Sequence, residues 1–135
     1  MNSSIPQCIL VAEDDDMIWE LGIRKLFTVL FPISKLVRAR NEAEVYIAIA
    51  NQKPDLITMD GTLADGSQGL AIARELRTLD IQAPIVMLSA AGMSGQEIRE
   101  AGAQAYCLKM DMSKKLPGIF AQLGFATEQN PGRSH

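Results

Sequence analysis

The strongest constraint on the fold of this chain is a series of five short apolar runs, each followed by a segment with helical character. The runs are four or five residues long and mostly apolar, which is typical of parallel strands buried on both faces of a sheet. The predicted strands are Cys8–Ala12, Leu36–Ala39, Asp55–Met59, Ile85–Leu88 and Ala105–Leu108. Their alternation with helices predicts an α/β domain in which helices cover both faces of a parallel sheet.

Capping signals and apolar spacing place the helices between these strands. Asn41 and Glu44 have the spacing of a capping box, and so do Ser94 and Glu97. Pro117 is tolerated only in the first turn of a helix, so the last helix is predicted to begin there. The predicted helices are Met17–Leu30, one from near Asn41, Gly69–Leu79, one from Ser94, and Pro117–Leu123. The predicted buried face of the first helix consists of Ile18, Gly22, Leu26 and Val29.

Length and charge limit the classes of function. A chain of 135 residues, of which 47% are hydrophobic, fits one domain with one sizeable core. The net charge of −3 argues against direct contact with nucleic acid. No apolar run approaches the ~20 residues that cross a bilayer, and the segment MNSSIPQ at the start lacks the basic side chain of a signal peptide. We expect a cytoplasmic protein with no membrane partner, a domain over residues 1–124 and a disordered tail over residues 125–135.

Acidic side chains follow two of the predicted strands. Glu13, Asp14 and Asp15 come directly after the first strand, and Asp60 comes directly after the third. In open parallel sheets, ligands bind beyond the carboxyl ends of the strands, where the strand order reverses. Carboxylates that converge there repel one another unless their pKa values rise or a cation binds. Oxygen ligands suit Mg²⁺, and an aspartate can act as the nucleophile in phosphoryl transfer.

The last two strands end in groups that complement these acids. Ser89 follows the fourth strand and Lys109 follows the fifth. A hydroxyl and an ammonium group can both bind phosphoryl oxygens, and the ammonium can neutralise charge that develops there. Taken singly, each of these residues is more often a solvated helix start, a turn residue or a surface lysine. Their joint occurrence in order, each at the end of a strand, favours a site that binds a cation and a phosphoryl group.

Four segments carry a resemblance to a known family. They are Ile9–Asp16 (ILVAEDDD), Pro54–Asp60 (PDLITMD), Pro84–Ala90 (PIVMLSA) and Gly102–Lys109 (GAQAYCLK). In this order and at these spacings the sequence resembles the receiver domain of response regulators, the CheY-like phosphoacceptor module of two-component signalling. The resemblance extends from Cys8 to Leu123. It implies a flavodoxin-like (βα)5 three-layer sandwich with a five-stranded parallel sheet in the order 2-1-3-4-5.

The resemblance also implies roles for particular residues. Asp60 would accept a phosphoryl group from a sensor histidine kinase or a phosphotransfer protein, and Mg²⁺ would be the cofactor. The implied metal ligands are Glu13, Asp14, Asp60 and the backbone carbonyl of Thr62. Lys109 and Ser89 would assist phosphoryl transfer, and Ser89 and Tyr106 would switch the surface between strand 4 and helix 5. Such a module is not an enzyme for another substrate, although the family can catalyse its own phosphorylation and dephosphorylation, and a homodimer through that surface is expected.

The sequence departs from the family pattern in a few places. Glu13 replaces the commoner aspartate, and Ala64 stands where many receivers have proline. Met110 follows Lys109 where many members have a cis-prolyl bond, so a trans bond is expected because a cis bond before a non-proline residue costs about 2.5–4 kcal/mol. The short segment before Tyr106 resembles receivers joined to helix-turn-helix DNA-binding domains.

The sequence is also compatible with two alternative functions. One is a pseudo-receiver that acts through protein contacts without phosphorylation. The other is a small hydrolase, because Met59–Ser67 (MDGTLADGS) also resembles the first motif of haloacid-dehalogenase-type phosphatases. In that family the nucleophile lies two residues before the DGTL aspartate, and Thr58 occupies that position here.

Overall fold

A parallel five-stranded sheet forms the centre of the domain in the computed structural model, which describes residues 4–128. The strand order is β2-β1-β3-β4-β5 and every neighbouring pair is parallel. The strands are β1 (Cys8–Ala12), β2 (Lys35–Ala39), β3 (Leu56–Asp60), β4 (Ile85–Ser89) and β5 (Ala105–Leu108). The predicted flavodoxin-like order 2-1-3-4-5 is confirmed, with strand bounds that differ from the predicted ones by at most one residue.

Among the described residues there are five α-helices, of which four lie between successive strands and the fifth follows β5. They are α1 (Arg24–Leu30), α2 (Glu42–Gln52), α3 (Gly69–Thr78), α4 (Gly95–Glu100) and α5 (Met112–Gln122). Both predicted caps are present: the Asn41 side chain accepts a hydrogen bond from the Glu44 N–H, and the Ser94 side chain accepts one from the Glu97 N–H. Each cap satisfies a backbone donor that the first turn of a helix leaves unpaired. None of the described helices is long and apolar enough to cross a membrane.

The sheet separates two apolar cores, which makes the domain a three-layer sandwich. Alternate side chains along each strand point to opposite faces of the sheet. On one face they pack with α1 and α5, through side chains that include Phe27, Leu116 and Phe120. On the other face they pack with α2, α3 and α4, through side chains that include Val45, Ile72 and Ile98.

The first helix does not bury the face that its sequence predicts. Ile23, Phe27 and Leu30 are fully buried, whereas Val29 is 54% exposed. The cause is a π-helical segment, Ile18–Ile23, in which the Arg24 N–H bonds to the Trp19 carbonyl five residues earlier. A π turn contains one more residue than the spacing of an ideal α-helix. The predicted apolar face is therefore wrong by one residue after this segment.

The last helix begins before Pro117, contrary to the prediction. α5 starts at Met112, immediately after a 3-10 turn over Lys109–Asp111, and it includes Pro117. Proline removes one hydrogen bond from a helix interior, here the bond to the carbonyl of Ser113. Because Ser113 is exposed, that carbonyl can bond to water, while Leu116 on the same helix is fully buried. Packing of the apolar face thus outweighs the missing bond.

The described end of the chain is packed against the domain. Phe125 and Thr127 are buried, the Ala126 N–H donates to the Ser4 carbonyl, and the Glu128 N–H donates to the Leu30 carbonyl. The expectation of a disordered tail over residues 125–135 is therefore wrong for residues 125–128. Residues 129–135 lie outside the described residues, as do residues 1–3 of the predicted domain.

Candidate functional site

The functional side chains predicted from the sequence meet at the carboxyl edge of the sheet. Glu13 directly follows β1, Asp60 and Ser89 are the last residues of β3 and β4, and Lys109 directly follows β5. Because all strands are parallel, these four positions lie at the same edge. The peptide bond between Lys109 and Met110 is trans, since no cis bond occurs among the described residues.

Three carboxylates form a cluster that could hold a metal ion. Glu13, Asp14 and Asp60 each offer an oxygen, and these oxygens lie within 4.8 Å of one another. Glu13 and Asp60 are buried, at 1% and 8% exposure, and Asp14 is half-buried. An all-oxygen set of this kind suits a hard divalent cation such as Mg²⁺.

Lys109 connects two of these carboxylates. Its Nζ lies 2.8 Å from Glu13 Oε1 and 3.1 Å from Asp60 Oδ2. Burial by itself would lower the pKa of Lys109, but the contact with Glu13 and the charges of Glu13 and Asp60 outweigh it and raise the pKa. Lys109 is therefore a fixed cation at neutral pH, held between the acids that follow β1 and end β3.

The remaining negative charge is not balanced by Lys109 alone. Burial, followed by the charge of Glu13, raises the pKa of Asp60 despite its contact with Lys109. Burial is also the first cause that raises the pKa of Asp14, and a contact with Asp60 adds to it. One ammonium group therefore faces three carboxylates. Such a cluster favours either proton uptake or a bound cation, and the donor set fits Mg²⁺.

The loop after β3 is held against the Asp60 backbone by a glycine. The Gly69 N–H donates to the Gly61 carbonyl at 2.8 Å, and a Cβ added to Gly69 would lie 1.9 Å from the Asp60 carbonyl oxygen. Only glycine permits this approach of α3 to the end of β3. Thr62 pairs with Gln68 across the same loop. The role of the Thr62 carbonyl as a metal ligand stays a prediction.

Ser89 and Tyr106 contact the same residue of the β4–α4 loop. The Ser89 Oγ accepts a hydrogen bond from the Ala91 N–H at 3.2 Å, and the Tyr106 hydroxyl donates to the Ala91 carbonyl at 3.0 Å. Ser89 is buried and packs closely against Gly61: a Cβ added to Gly61 would lie 3.1 Å from the Ser89 Oγ. The structure thus links the serine at the acidic cluster to Tyr106 through Ala91.

Arg38 in β2 lies next to the site with a charged side chain that is largely covered. Its side chain is only 13% exposed. Its Nε donates to the Glu13 carbonyl at 2.9 Å, and its Nη2 lies 2.8 Å from Asp16 Oδ1. The guanidinium carbon also lies 5.7 Å from the centre of the Trp19 ring. The sequence signal for this arrangement is an arginine that interrupts the apolar residues following Lys35 in β2.

A 2-1-3-4-5 parallel sheet with acids, a serine and a lysine at its carboxyl edge defines the class of receiver-type signalling domains. The response regulator receiver domain family matches this chain over residues 9–118. The chain belongs to this family, and it is a receiver domain of the two-component response regulator type. Family membership does not support the pseudo-receiver alternative, and it argues against the hydrolase, as does the burial of Thr58 at 1% exposure.

Individual relatives agree with this assignment. The phosphate regulon transcriptional regulatory protein PhoB of Pseudomonas aeruginosa is 32% identical over 137 aligned positions, which cover 94% of this chain and 57% of that protein. The polar-differentiation response regulator DivK of Brucella anthropi is 33% identical over 78% of this chain and 85% of its own length. The BeF3-activated receiver domain of Klebsiella pneumoniae RstA superposes with a TM-score of 0.68 at 29% identity, covering 86% of this chain and 94% of that domain. This chain thus spans little more than half of PhoB.

Proposed function

We propose that this protein is a cytoplasmic phosphoacceptor in which Asp60 receives a phosphoryl group from a sensor histidine kinase or a phosphotransfer protein. The observation that carries the proposal is the contact of Lys109 with both Glu13 and Asp60. This contact holds the candidate acceptor inside a cluster of three carboxylates at the sheet edge where α/β proteins bind ligands.

The proposed transfer is a substitution at phosphorus. A carboxylate oxygen of Asp60 forms the new P–O bond while the P–N bond of a phosphohistidine breaks. The electron pair of that bond stays on the imidazole nitrogen of the donor, so the electrons balance without an oxidant or a reductant. Lys109 lies 3.1 Å from Asp60 Oδ2, close enough to compensate charge on the incoming phosphoryl oxygens.

The same cluster is the proposed Mg²⁺ site. Glu13, Asp14, Asp60 and the Thr62 carbonyl would hold the ion, and when bound it would neutralise charge on phosphoryl oxygens. The raised pKa values of Asp14 and Asp60 support the proposal. They show that the ionised carboxylates are unfavourable in this cluster, and a bound cation would stabilise their charge.

The proposed output is a change of surface rather than the turnover of a substrate. Aspartyl phosphate adds charge and acceptor oxygens beside Ser89. Since Ser89 and Tyr106 are both bonded to Ala91, a new bond from Ser89 to the phosphoryl group would disturb the loop that holds Tyr106. This would bias a two-state surface between β4 and α5, which is also the proposed face for a homodimer or another protein partner.

Labelling with a small phosphodonor tests the proposal. With acetyl phosphate and Mg²⁺, intact-protein mass spectrometry should detect one added phosphoryl group, which disappears when EDTA is present. Asp60→Asn should abolish it. Asp80→Asn is the matched control, because Asp80 is exposed and has a φ of 63° that asparagine tolerates. Undiminished labelling of Asp60→Asn, or no labelling of the parent protein, would refute the assignment.

A further inference from the structure

Arg38 makes contacts that an ordinary solvated arginine does not make. Its side chain is 13% exposed, against 56% for Arg40 two residues later on the chain. A charged head group that is this well covered needs partners. Arg38 has three: the Glu13 carbonyl, the Asp16 carboxylate and the face of Trp19.

The contact with the Glu13 carbonyl bears directly on the acidic cluster. The Glu13 N–H donates to the Ala39 carbonyl at 2.9 Å, and the Glu13 carbonyl accepts from Arg38 Nε at 2.9 Å. Both peptide groups of Glu13 are thus fixed by neighbouring residues at the end of β2. Because the second of these groups leads into Asp14, its orientation also sets the direction in which Asp14 leaves the main chain.

The other contacts hold Arg38 itself in place. Asp16 is 71% exposed, so solvent screens its ion pairs with Arg38 and Arg40 and they contribute little. The Trp19 ring provides a flat apolar surface for the guanidinium. Trp19 also supplies the carbonyl for the π-type bond from Arg24, so the irregular turn before α1 is part of the same arrangement.

We propose that Arg38 is a positioning residue for metal binding: it fixes the main chain at Glu13 and thereby orients Glu13 and Asp14 toward a divalent cation. This inference rests on the proposed Mg²⁺ binding. Positioning and charge have opposite consequences here. A positive charge close to a cation site weakens cation binding, so removal of Arg38 would tighten binding if charge alone mattered. If Arg38 positions the acids, its removal weakens binding.

The test measures Mg²⁺ affinity by isothermal titration calorimetry on the full chain without a phosphodonor. Arg38→Met retains a side chain of similar reach but loses every donor, and its Kd should rise about tenfold, the lower end of the range for residues that orient metal ligands. Arg38→Lys keeps the charge with a single donor head and should give an intermediate Kd. Arg40→Met is the matched control, because Arg40 shares Asp16 without contacting Glu13; its Kd should be unchanged or lower.

A kinetic readout separates positioning from general damage. In acetyl phosphate labelling of Arg38→Met, the Mg²⁺ concentration for half-maximal rate should rise about tenfold, as the Kd does, while the rate at saturating Mg²⁺ stays near that of the parent. Loss of the saturated rate in a folded variant would contradict the inference, as would an unchanged or lower Kd for Arg38→Met. An equal rise of the Kd in Arg40→Met would also overturn it.

The same design distinguishes failure of this inference from failure of the proposed function. If the parent protein binds no Mg²⁺, both are wrong. If the parent binds Mg²⁺ and the Arg38 variants bind it equally well, only the role of Arg38 is wrong. If Arg38→Met does not fold by circular dichroism, Arg38→Lys decides, and an unchanged Kd in that variant contradicts the inference.

Discussion

Replacing Thr58 with valine should stabilise this domain. Thr58 lies in β3 at 1% exposure, and its hydroxyl has no hydrogen-bond partner among the described residues. Thr58 is paired with Val11 of β1 on one side and with Val86 of β4 on the other, and both valines are fully buried. Valine already occupies both neighbouring positions in the sheet, and it has nearly the shape of threonine, so it should fit at position 58.

The size of the effect follows from the buried hydroxyl. A buried donor or acceptor without a partner costs about 1–3 kcal/mol, so Thr58→Val should raise the free energy of unfolding by about 1.5 kcal/mol. For 135 residues, the entropy of unfolding is about 0.28 kcal/mol/K, from about 2.1 cal/mol/K per residue. The corresponding rise in Tm is about 5 °C.

Urea unfolding followed by circular dichroism, with EDTA present, measures this change, and a thermal scan provides the Tm. Thr78→Val is the control, since the exposed Thr78 hydroxyl donates to the Glu75 carbonyl at 2.7 Å; its unfolding free energy should change by less than about 0.5 kcal/mol. A loss of stability in Thr58→Val would mean that the hydroxyl has a partner and that the reasoning is wrong. Labelling at Asp60 should be unaffected.

Three further changes test the acidic site. Lys109→Met leaves two buried carboxylates without their cation. It should reduce the free energy of unfolding, measured by urea unfolding at pH 7, by about 3 kcal/mol. A loss below about 1 kcal/mol would contradict a stabilising role of Lys109 between these carboxylates. The pKa of Asp60 is raised in the folded state, so its contribution to stability is present below the unfolded pKa of about 3.9 and is lost as the pH rises through the folded pKa. Asp60→Asn should therefore be more stable than the parent at pH 7 in EDTA, and the two stabilities should converge near pH 3; equal stability at both pH values would refute this. Gly69→Ala forces a Cβ against the Asp60 carbonyl and should destabilise the domain by about 2 kcal/mol or more. The control Gly118→Ala, where a Cβ meets nothing, should stabilise the domain by about 0.5 kcal/mol. Equal thermal stability of the two variants would show that α3 can move away from the Asp60 carbonyl without cost.

The strands and the edge at which the acids meet could be predicted from the sequence because both depend on local patterns. Short apolar runs that are separated by helices are typical of buried parallel strands. Parallel strands bring their carboxyl ends to the same edge of the sheet whatever the details of packing. The caps at Asn41 and Ser94 could be predicted for the same reason, since each bond spans only three residues. The strand order also places Lys109 at the same edge as Glu13 and Asp60; its contact with both carboxylates was not predicted.

The parts that were not predicted depend on packing between distant segments. Pro117 stops a helix on local grounds, yet the burial of Leu116 and Phe120 against the sheet carries α5 through it. The π turn before α1 shifts the buried face by one residue, and only the fit of Ile23 and Phe27 into the core shows this. The position of Arg38 depends on a loop 25 residues earlier in the chain, which no local pattern could reveal.

The hydrogen bonds between Ser4 and the segment after α5 have a practical consequence for protein engineering. The Ser4 N–H donates to the Gly124 carbonyl, and the Ser4 carbonyl accepts from the Ala126 N–H. The two ends of the described chain therefore run side by side at the amino edge of the sheet. That edge is separated from Glu13 by the length of a five-residue strand, about 17 Å. A reporter or affinity tag joined directly to Ser4 or Glu128 would be tethered away from the acids. A circular permutant that links Ser4 to Glu128 with a short peptide and opens the chain between Leu79 and Asp80, both exposed in the α3–β4 connection, should keep Asp60 accessible to its donor.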